Sequence, residues 1–460
     1  MSSAVLCAPV TDSAPATSAP AAGAVPLLPV VGADTLVPLV AGGTARYVDL
    51  DTAASSRALE SVAARVAEAL PLYASVHRGA GYLSQVSTAL YEDARATVAG
   101  FVGARADDVC VLVRHTTDAL NLLAGCVPDG GAVLVLDCEH HADLLPWQQR
   151  GPVTVLPTAP TVVETLRALG AELVAARYAL VAVTGASNVT GEALPLDEVV
   201  QLAHAAGARV LVDGAQLVPH RRFSLAASGA DYVAFSGHKT HAPFGSGALV
   251  GRRDWLDAAP AYLAGGGAVQ EVTVEETSWA AAPHRHEGGS PNVLGAVALA
   301  AACEALAALP AGALADHERA LRERLVAGLG ALPGVRVLRI WADSAEPTGV
   351  VSFTVAGADP GLVAAYLSAE HGIGVRDGRF CAHPLLARLG VPAGALRASV
   401  GVGCTLDDVD RLLTALDAFL SAGPQVAYAR VEGRWQPADD PRAAELAAAV
   451  RGAGCGPAER

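Results

Sequence analysis

The chain has 460 residues, 52% of them hydrophobic but only 5% aromatic, so its apolar surface comes from many small side chains suited to helices packed closely on a sheet. Its formal charge of −14 argues against a nucleic-acid binder, which needs a basic stripe to displace counterions from phosphates. The eight cysteines, Cys7, Cys110, Cys126, Cys138, Cys303, Cys381, Cys404 and Cys455, form no CxxC pair, so their spacing gives neither a metal site nor a disulfide framework. Reduced thiols in a cytoplasmic protein are the expectation.

The N-terminus carries no basic region ahead of its apolar residues, and an Ala/Pro/Ser-rich stretch follows, so residues 1–44 are expected to be a disordered tail. No apolar run is free of charge or proline for long enough to span a membrane. Tyr47 to Leu50 predicts a short strand, and helical periodicity covers Ser55 to Leu72 and Leu83 to Val102. From there strand and helix alternate. Apolar runs at Val109 to Val113, Ala132 to Leu136, Tyr178 to Val183, Val210 to Val212 and Tyr232 to Phe235 predict buried strands. Helices are expected at Asp118 to Gly125 and Leu196 to Ala206, and Gly247 to Val250 reads as a returning strand.

The alternation predicts an α/β fold with a mostly parallel sheet covered on both faces, whose ligands bind beyond the carboxyl ends of the strands. A helix at Asn292 to Ala308 leads to a smaller α+β module. Its predicted elements are helix Ala313 to Leu332, strands Val335 to Ile340 and Val350 to Val355, helix Pro360 to His371, strands Ile373 to Arg376 and Leu396 to Val400, and helix Leu406 to Ala422. The expected division is a large domain over 45–305, with its N-terminal segment contributing to the small one, a small domain over 306–422, and a C-terminal extension over 423–460.

Candidate site residues fall at the strand ends. Lys239 follows one apolar run and Asp213 closes the preceding one, a pairing that suggests pyridoxal phosphate (PLP): the lysine would hold the aldehyde as a Schiff base and the acid would keep the ring nitrogen protonated. Thr116 and Thr117 open a helix, where backbone N–H groups and hydroxyls suit a phosphate or simply cap the helix. Ser236 and His238 flank the lysine and offer further donors. His140 is a candidate for stacking on the ring and moving a proton, and Asn188 and Gln216 for bonding the ring hydroxyl, although each also serves as an ordinary loop residue. Arg376 and Arg397 are candidates for a bidentate grip on a carboxylate, against the default of a surface ion pair. Cys381 lies in a loop with basic neighbours that favour a thiolate.

The runs Val76-His77-Arg78-Gly79, Leu83-Ser84-Gln85, Glu139-His140-His141-Ala142, Pro146-Trp147, Val212-Asp213-Gly214-Ala215-Gln216, Ser236-Gly237-His238-Lys239 and Ser290-Pro291-Asn292 follow in order the motifs of a known family. From about Tyr47 to Ala422 the chain resembles the class V aminotransferase family of fold-type I PLP enzymes, and most closely its group II (SUF-type) cysteine desulfurases. The resemblance implies a large domain with a seven-stranded, mostly parallel sheet and a smaller α+β domain. It implies that Lys239 bonds the cofactor, Asp213 pairs with the pyridinium nitrogen, Gln216 meets the ring hydroxyl, His140 stacks on the ring, and Asn188 contacts both substrate and cofactor. Thr117, Ser236 and His238 would hold the phosphate, and Ser290 would reach the phosphate of the other subunit of a homodimer. Arg397, with Arg376 nearby, would take the substrate carboxylate.

Cys381 falls where the family carries its sulfur-accepting cysteine, so the implied reaction takes sulfur from cysteine or an analogue, leaves alanine and builds a persulfide for a possible acceptor protein. The chain departs from the family pattern at Asp377-Gly378-Arg379-Phe380, just before that cysteine, and at Thr240-His241-Ala242-Pro243-Phe244-Gly245, after the lysine. These departures keep open a specialised member of secondary metabolism: an aminotransferase, sulfinate desulfinase, C–S lyase, epimerase or C–C bond-forming enzyme.

Overall fold

The computed structural model describes residues 22–77 and 79–443. Seven strands form the main sheet in the order Asp108–Val113, Gly247–Arg252, Tyr232–Ser236, Arg209–Asp213, Leu180–Thr184, Val133–Leu136 and Val153–Leu156. Only Gly247–Arg252 runs against its neighbours, and it pairs antiparallel with the strands on both sides. The central strands are buried on both faces, which is why they read as continuous apolar runs. One core fills each side of this sheet. Helix Val293–Ala307 is apolar almost all round because helices Glu60–Ala69 and Tyr82–Phe101 cover it from outside.

A second, antiparallel sheet has the order Val335–Val337, Val350–Val355, Ala395–Ser399 and Arg376–Gly378. Helices Ala313–Ala331, Pro360–His371 and Leu406–Ala422 pack on it around a separate core. The N-terminal strand Val48–Asp49 crosses to this module and pairs parallel with Ile373–Gly374.

Several elements differ from expectation. The first helix begins only at Glu60, because Ser55 and Ser56 are spent on bonds to the His238 carbonyl. Val153–Leu156 and helix Val162–Ala175 were not anticipated. The strand expected at Val335 to Ile340 stops at Val337, and the stretch expected as one strand at Ile373 to Arg376 splits between two sheets.

Against the expectation of a disordered tail as far as residue 44, residues 22–44 are folded. Leu27 and Leu28 donate to the Val402 carbonyl, Val30 is buried, and Leu36–Pro38 pairs with Thr44–Arg46. Tertiary contacts order a composition that local pattern cannot. Residues 1–21 lie outside the described residues. In the C-terminal extension, Tyr428–Val431 and Arg434–Pro437 form a hairpin on helix Pro360–His371, and residues 444–460 lie outside the description.

Candidate active site

Strand ends on the large sheet and one loop of the small module enclose a cavity of about 550 Å³. Lys239 is the only lysine of the chain. It sits in a short 3-10 turn, Gly237–Lys239, directly after its strand. That turn needs glycine, since a Cβ on Gly237 would lie 2.8 Å from the Ser246 carbonyl. Burial lowers the Lys239 pKa, and Asp213 opposes the shift.

Asp213 is 3% exposed at the end of the adjacent strand. Burial raises its pKa, while the Ala215 N–H, donating at 2.9 Å, and Lys239 pull it down. Glu139 and Asp143 are buried behind it, and both are pushed well above the carboxylate range, first by burial; Asp143 and Asp213 raise Glu139 further, and Asp213 raises Asp143. Both Glu139 oxygens and Asp143 Oδ2 lack a partner among the described residues. Of the three acids, Asp213 is the one whose charged form is favoured by both a backbone N–H and Lys239.

Gln216 donates to the Ala53 carbonyl at 2.6 Å and keeps a buried, unpartnered Oε1. His140 accepts the Ala142 N–H at Nδ1 (3.0 Å), which leaves the proton on Nε2. Its pKa falls to about 3, through burial and then the charge of Lys239. Thr116 and Ser236 share a hydroxyl contact of 2.7 Å, and the Thr116 N–H donates to Ser236 Oγ at the start of helix Thr116–Ala124. The cap of that helix is His115, accepting from Asp118, and not a threonine of the pair. Thr117 is exposed towards the cavity, and His238 also lines it with a pKa lowered to about 4 by burial.

Across the cavity Arg397 is 4% exposed. It donates to Asp51 (3.0 Å) and to the Asn188 carbonyl (2.9 Å), and its Nε has no partner. Asn188 in turn donates to the Phe380 carbonyl at 2.8 Å, tying the arginine to the cysteine loop. Phe380 and Cys381 both hold left-handed backbone conformations, with φ of 49° and 53°. The Phe380 ring is buried 5.3 Å from the Arg397 guanidinium, while Cys381 is exposed. The Cys381 carbonyl accepts from the His141 N–H at 2.8 Å, and the His141 and His383 rings meet edge to face at 4.4 Å. Arg376 lines the same cavity and is exposed.

Of the residues singled out in the sequence, Thr116, Thr117, His140, Asn188, Asp213, Gln216, Ser236, His238, Lys239, Arg376, Cys381 and Arg397 all line this cavity. Ser290 does not; it is exposed on the loop before helix Val293–Ala307, and its expected role concerns a second copy of the chain. Arg78, in one of the quoted motifs, lies outside the described residues. Asp51, His115 and His383 were missed as site residues, and Arg379 was marked only as part of the departure beside Cys381. Asp51 had a signal, an acid directly after a predicted strand, but its partner Arg397 is remote in sequence.

The pattern of the family described as aminotransferase class-V matches residues 48–412. A protein named cysteine desulfurase from Dickeya dadantii is 38% identical over 379 residues, covering 80% of this chain and 90% of the relative. A probable cysteine desulfurase of Mycobacterium leprae is 39% identical over 370 residues, 75% of this chain and 85% of the relative. Among solved structures, a cysteine desulfurase of Thermococcus onnurineus superposes with a TM-score of 0.75 at 32% identity, covering 81% of this chain and 94% of the other. A cysteine desulfurase of Escherichia coli does so with 0.73 at 37% identity, with the same coverage. With this fold, this cavity and a family match over most of its length, the chain belongs to the aminotransferase class-V family.

Proposed function

We propose that the chain is a PLP enzyme that takes sulfur from cysteine or a close analogue, leaving alanine and a persulfide on Cys381. The observation that carries this reading is the meeting in one cavity of the sole lysine, a buried carboxylate, a buried arginine and an exposed thiol. The names of the relatives support the sulfur branch.

The residues fit the cofactor. The cavity offers an orphaned Gln216 Oε1, a carboxylate at its floor, and two hydroxyls at a helix start beside a lysine. When bound, PLP supplies an electron sink for the carbanion formed at the substrate α-carbon. Lys239 Nζ would hold the cofactor aldehyde, and it is the group placed to take the substrate α-proton. Asp213 would keep the ring nitrogen charged, Gln216 would meet the ring hydroxyl, and the imidazole of His140 would stack on the ring. Thr116, Thr117, Ser236 and His238 would hold the phosphate, and Ser290 would reach the corresponding group of a second copy in a homodimer. Arg397, assisted by Arg376, fixes the substrate carboxylate, and Asn188 lies between substrate and cofactor.

The Cys381 thiolate then attacks the substrate sulfur. A new S–S bond forms, the Cβ–S bond breaks, and its electron pair stays with the substrate carbon, which becomes alanine on protonation. In this reading module 45–305 carries the cofactor, and module 306–422 brings the carboxylate grip and the thiol. A reducing, cytoplasmic setting suits the exposed thiol, and among the described residues no helix is long and apolar enough to cross a membrane. The test is Cys381→Ser: the variant should keep the cofactor colour but form no protein persulfide from cysteine. Equal release of alanine and sulfur by the variant would contradict the assignment.

A further inference from the structure

The C-terminal hairpin lies beyond the family match, which ends at residue 412, and it builds a second cavity of about 680 Å³ against helix Pro360–His371. Arg430, Arg434 and Trp435 line one wall. The opposite wall includes Arg376 and Asp377, which also line the catalytic cavity, so the strand Arg376–Gly378 is a wall common to both spaces.

The charges around this wall are unbalanced. Arg430 pairs with Asp359 and lies 5.3 Å over the Trp435 ring, which fixes the hairpin wall. Arg434, Arg376 and Arg379 are exposed and make no side-chain hydrogen bond or ion pair among the described residues. Arg434 lines the hairpin cavity, Arg379 the catalytic one, two positions from Cys381, and Arg376 lines both. Asp377, also exposed and without a partner among the described residues, offsets one of the three, and the excess of guanidiniums still makes this a locally cationic face on a chain of net charge −14. An acidic partner is repelled elsewhere and drawn to this face.

We infer that the hairpin groove is the docking surface for an acidic segment of a thiol-bearing acceptor protein, which it guides to Cys381. This rests on the reading of Cys381 as the persulfide carrier. The transfer is balanced without an oxidant: the acceptor thiolate attacks the outer sulfur of the Cys381 persulfide, the old S–S bond breaks, and Cys381 leaves as thiolate. A guanidinium-rich face suits carboxylates because each can be held by two parallel N–H bonds, and Trp435 offers an apolar face beside them.

The test is fluorescence anisotropy on the full-length holoenzyme, with a labelled glutamate-rich peptide bearing one cysteine and a matched peptide carrying glutamine in place of glutamate. The acidic peptide is expected to bind about five-fold more tightly, with the advantage shrinking as salt is raised. Arg434→Glu should remove the preference, Arg434→Lys should retain it, and sulfide release to dithiothreitol should be unchanged in both. Equal binding of the two peptides, or a preference that survives Arg434→Glu, would overturn the inference. Binding is read without turnover, so the two readings fail separately. A protein that prefers the acidic peptide but forms no persulfide keeps the surface and loses the reaction, and one that forms persulfide without the preference loses the surface alone.

Discussion

Arg376 and Arg397 stand directly opposite each other across the antiparallel strands Arg376–Gly378 and Ala395–Ser399. Residues so paired project to one face with their Cβ atoms about 5 Å apart, where like charges repel. Among the described residues Asp51 is the one carboxylate that bonds this pair, through Arg397, and it feels Arg376 only at longer range. Two guanidiniums with one bonded acid between them leave room for a further carboxylate, the place proposed above for that of the substrate.

The two arginines should therefore differ in weight. Arg397→Ala removes a buried, charge-assisted grip of about 2 kcal/mol, so the KM for cysteine should rise roughly thirty-fold. Arg376→Ala removes an exposed charge and should raise it only about three-fold. Steady-state kinetics on the two variants checks the order, and Arg397→Lys, which keeps charge but not the fork, should fall between them.

Because Lys239 is the sole lysine, cofactor attachment has a single possible side-chain address. Borohydride treatment of the coloured protein should fix the cofactor to one peptide, the one containing Lys239. Lys239→Ala should give a folded protein without the Schiff-base band, as judged by absorbance and circular dichroism.

His241 is buried, bonds the Arg57 carbonyl through Nδ1 at 3.0 Å, and has its pKa lowered to about 4, mainly by burial. Below the unfolded value of about 6.5 the unfolded chain binds this proton and the folded chain does not. Its contribution is full above that pH and is lost as pH falls towards about 4. The buried acids Glu139 and Asp143, shifted upwards, act in the opposite sense, so the comparison must be between variant and wild type. His241→Asn should flatten the pH dependence of stability by up to about 1.4 kcal/mol per pH unit in this window, measured by urea unfolding at pH 5 and pH 7.

Phe380 holds φ of 49°, which costs a residue with a Cβ roughly 1–2 kcal/mol. Its buried ring, packed on Arg397, contributes about 3–5 kcal/mol on the scale of large-to-small substitutions. Packing outweighs backbone relief, so Phe380→Gly should destabilise the protein by about 2 kcal/mol despite suiting the conformation. An unchanged urea midpoint would show that the ring is not what holds the cysteine loop.

Local signals made much of this fold legible. Helix Pro360–His371 has Asp359 as its cap, Pro360 in its first turn and Gly372 at its end, and helix Leu406–Ala422 has the Thr405 and Asp408 capping box and Gly423. Both were read with these bounds. The site was legible because strand ends in a parallel sheet converge, so residues marked one by one along the chain meet in space.

What was not legible depends on distant partners. The edge strand Val153–Leu156 is half-exposed and short, and residues 22–44 are ordered only by contacts such as Leu27 to Val402. Asp51 gains its meaning from Arg397, across the small sheet. Helix Val162–Ala175 did carry a signal, Thr161 bonding the Glu164 N–H, and the hairpin carried Glu432-Gly433 between strand-like runs.

The most direct measurement is a single turnover of the PLP-loaded enzyme with cysteine, with the small-molecule product identified and the intact protein weighed. The account predicts alanine, together with a protein heavier by one sulfur atom located on the peptide containing Cys381. Pyruvate or another keto acid, with Cys381 unmodified, would contradict it.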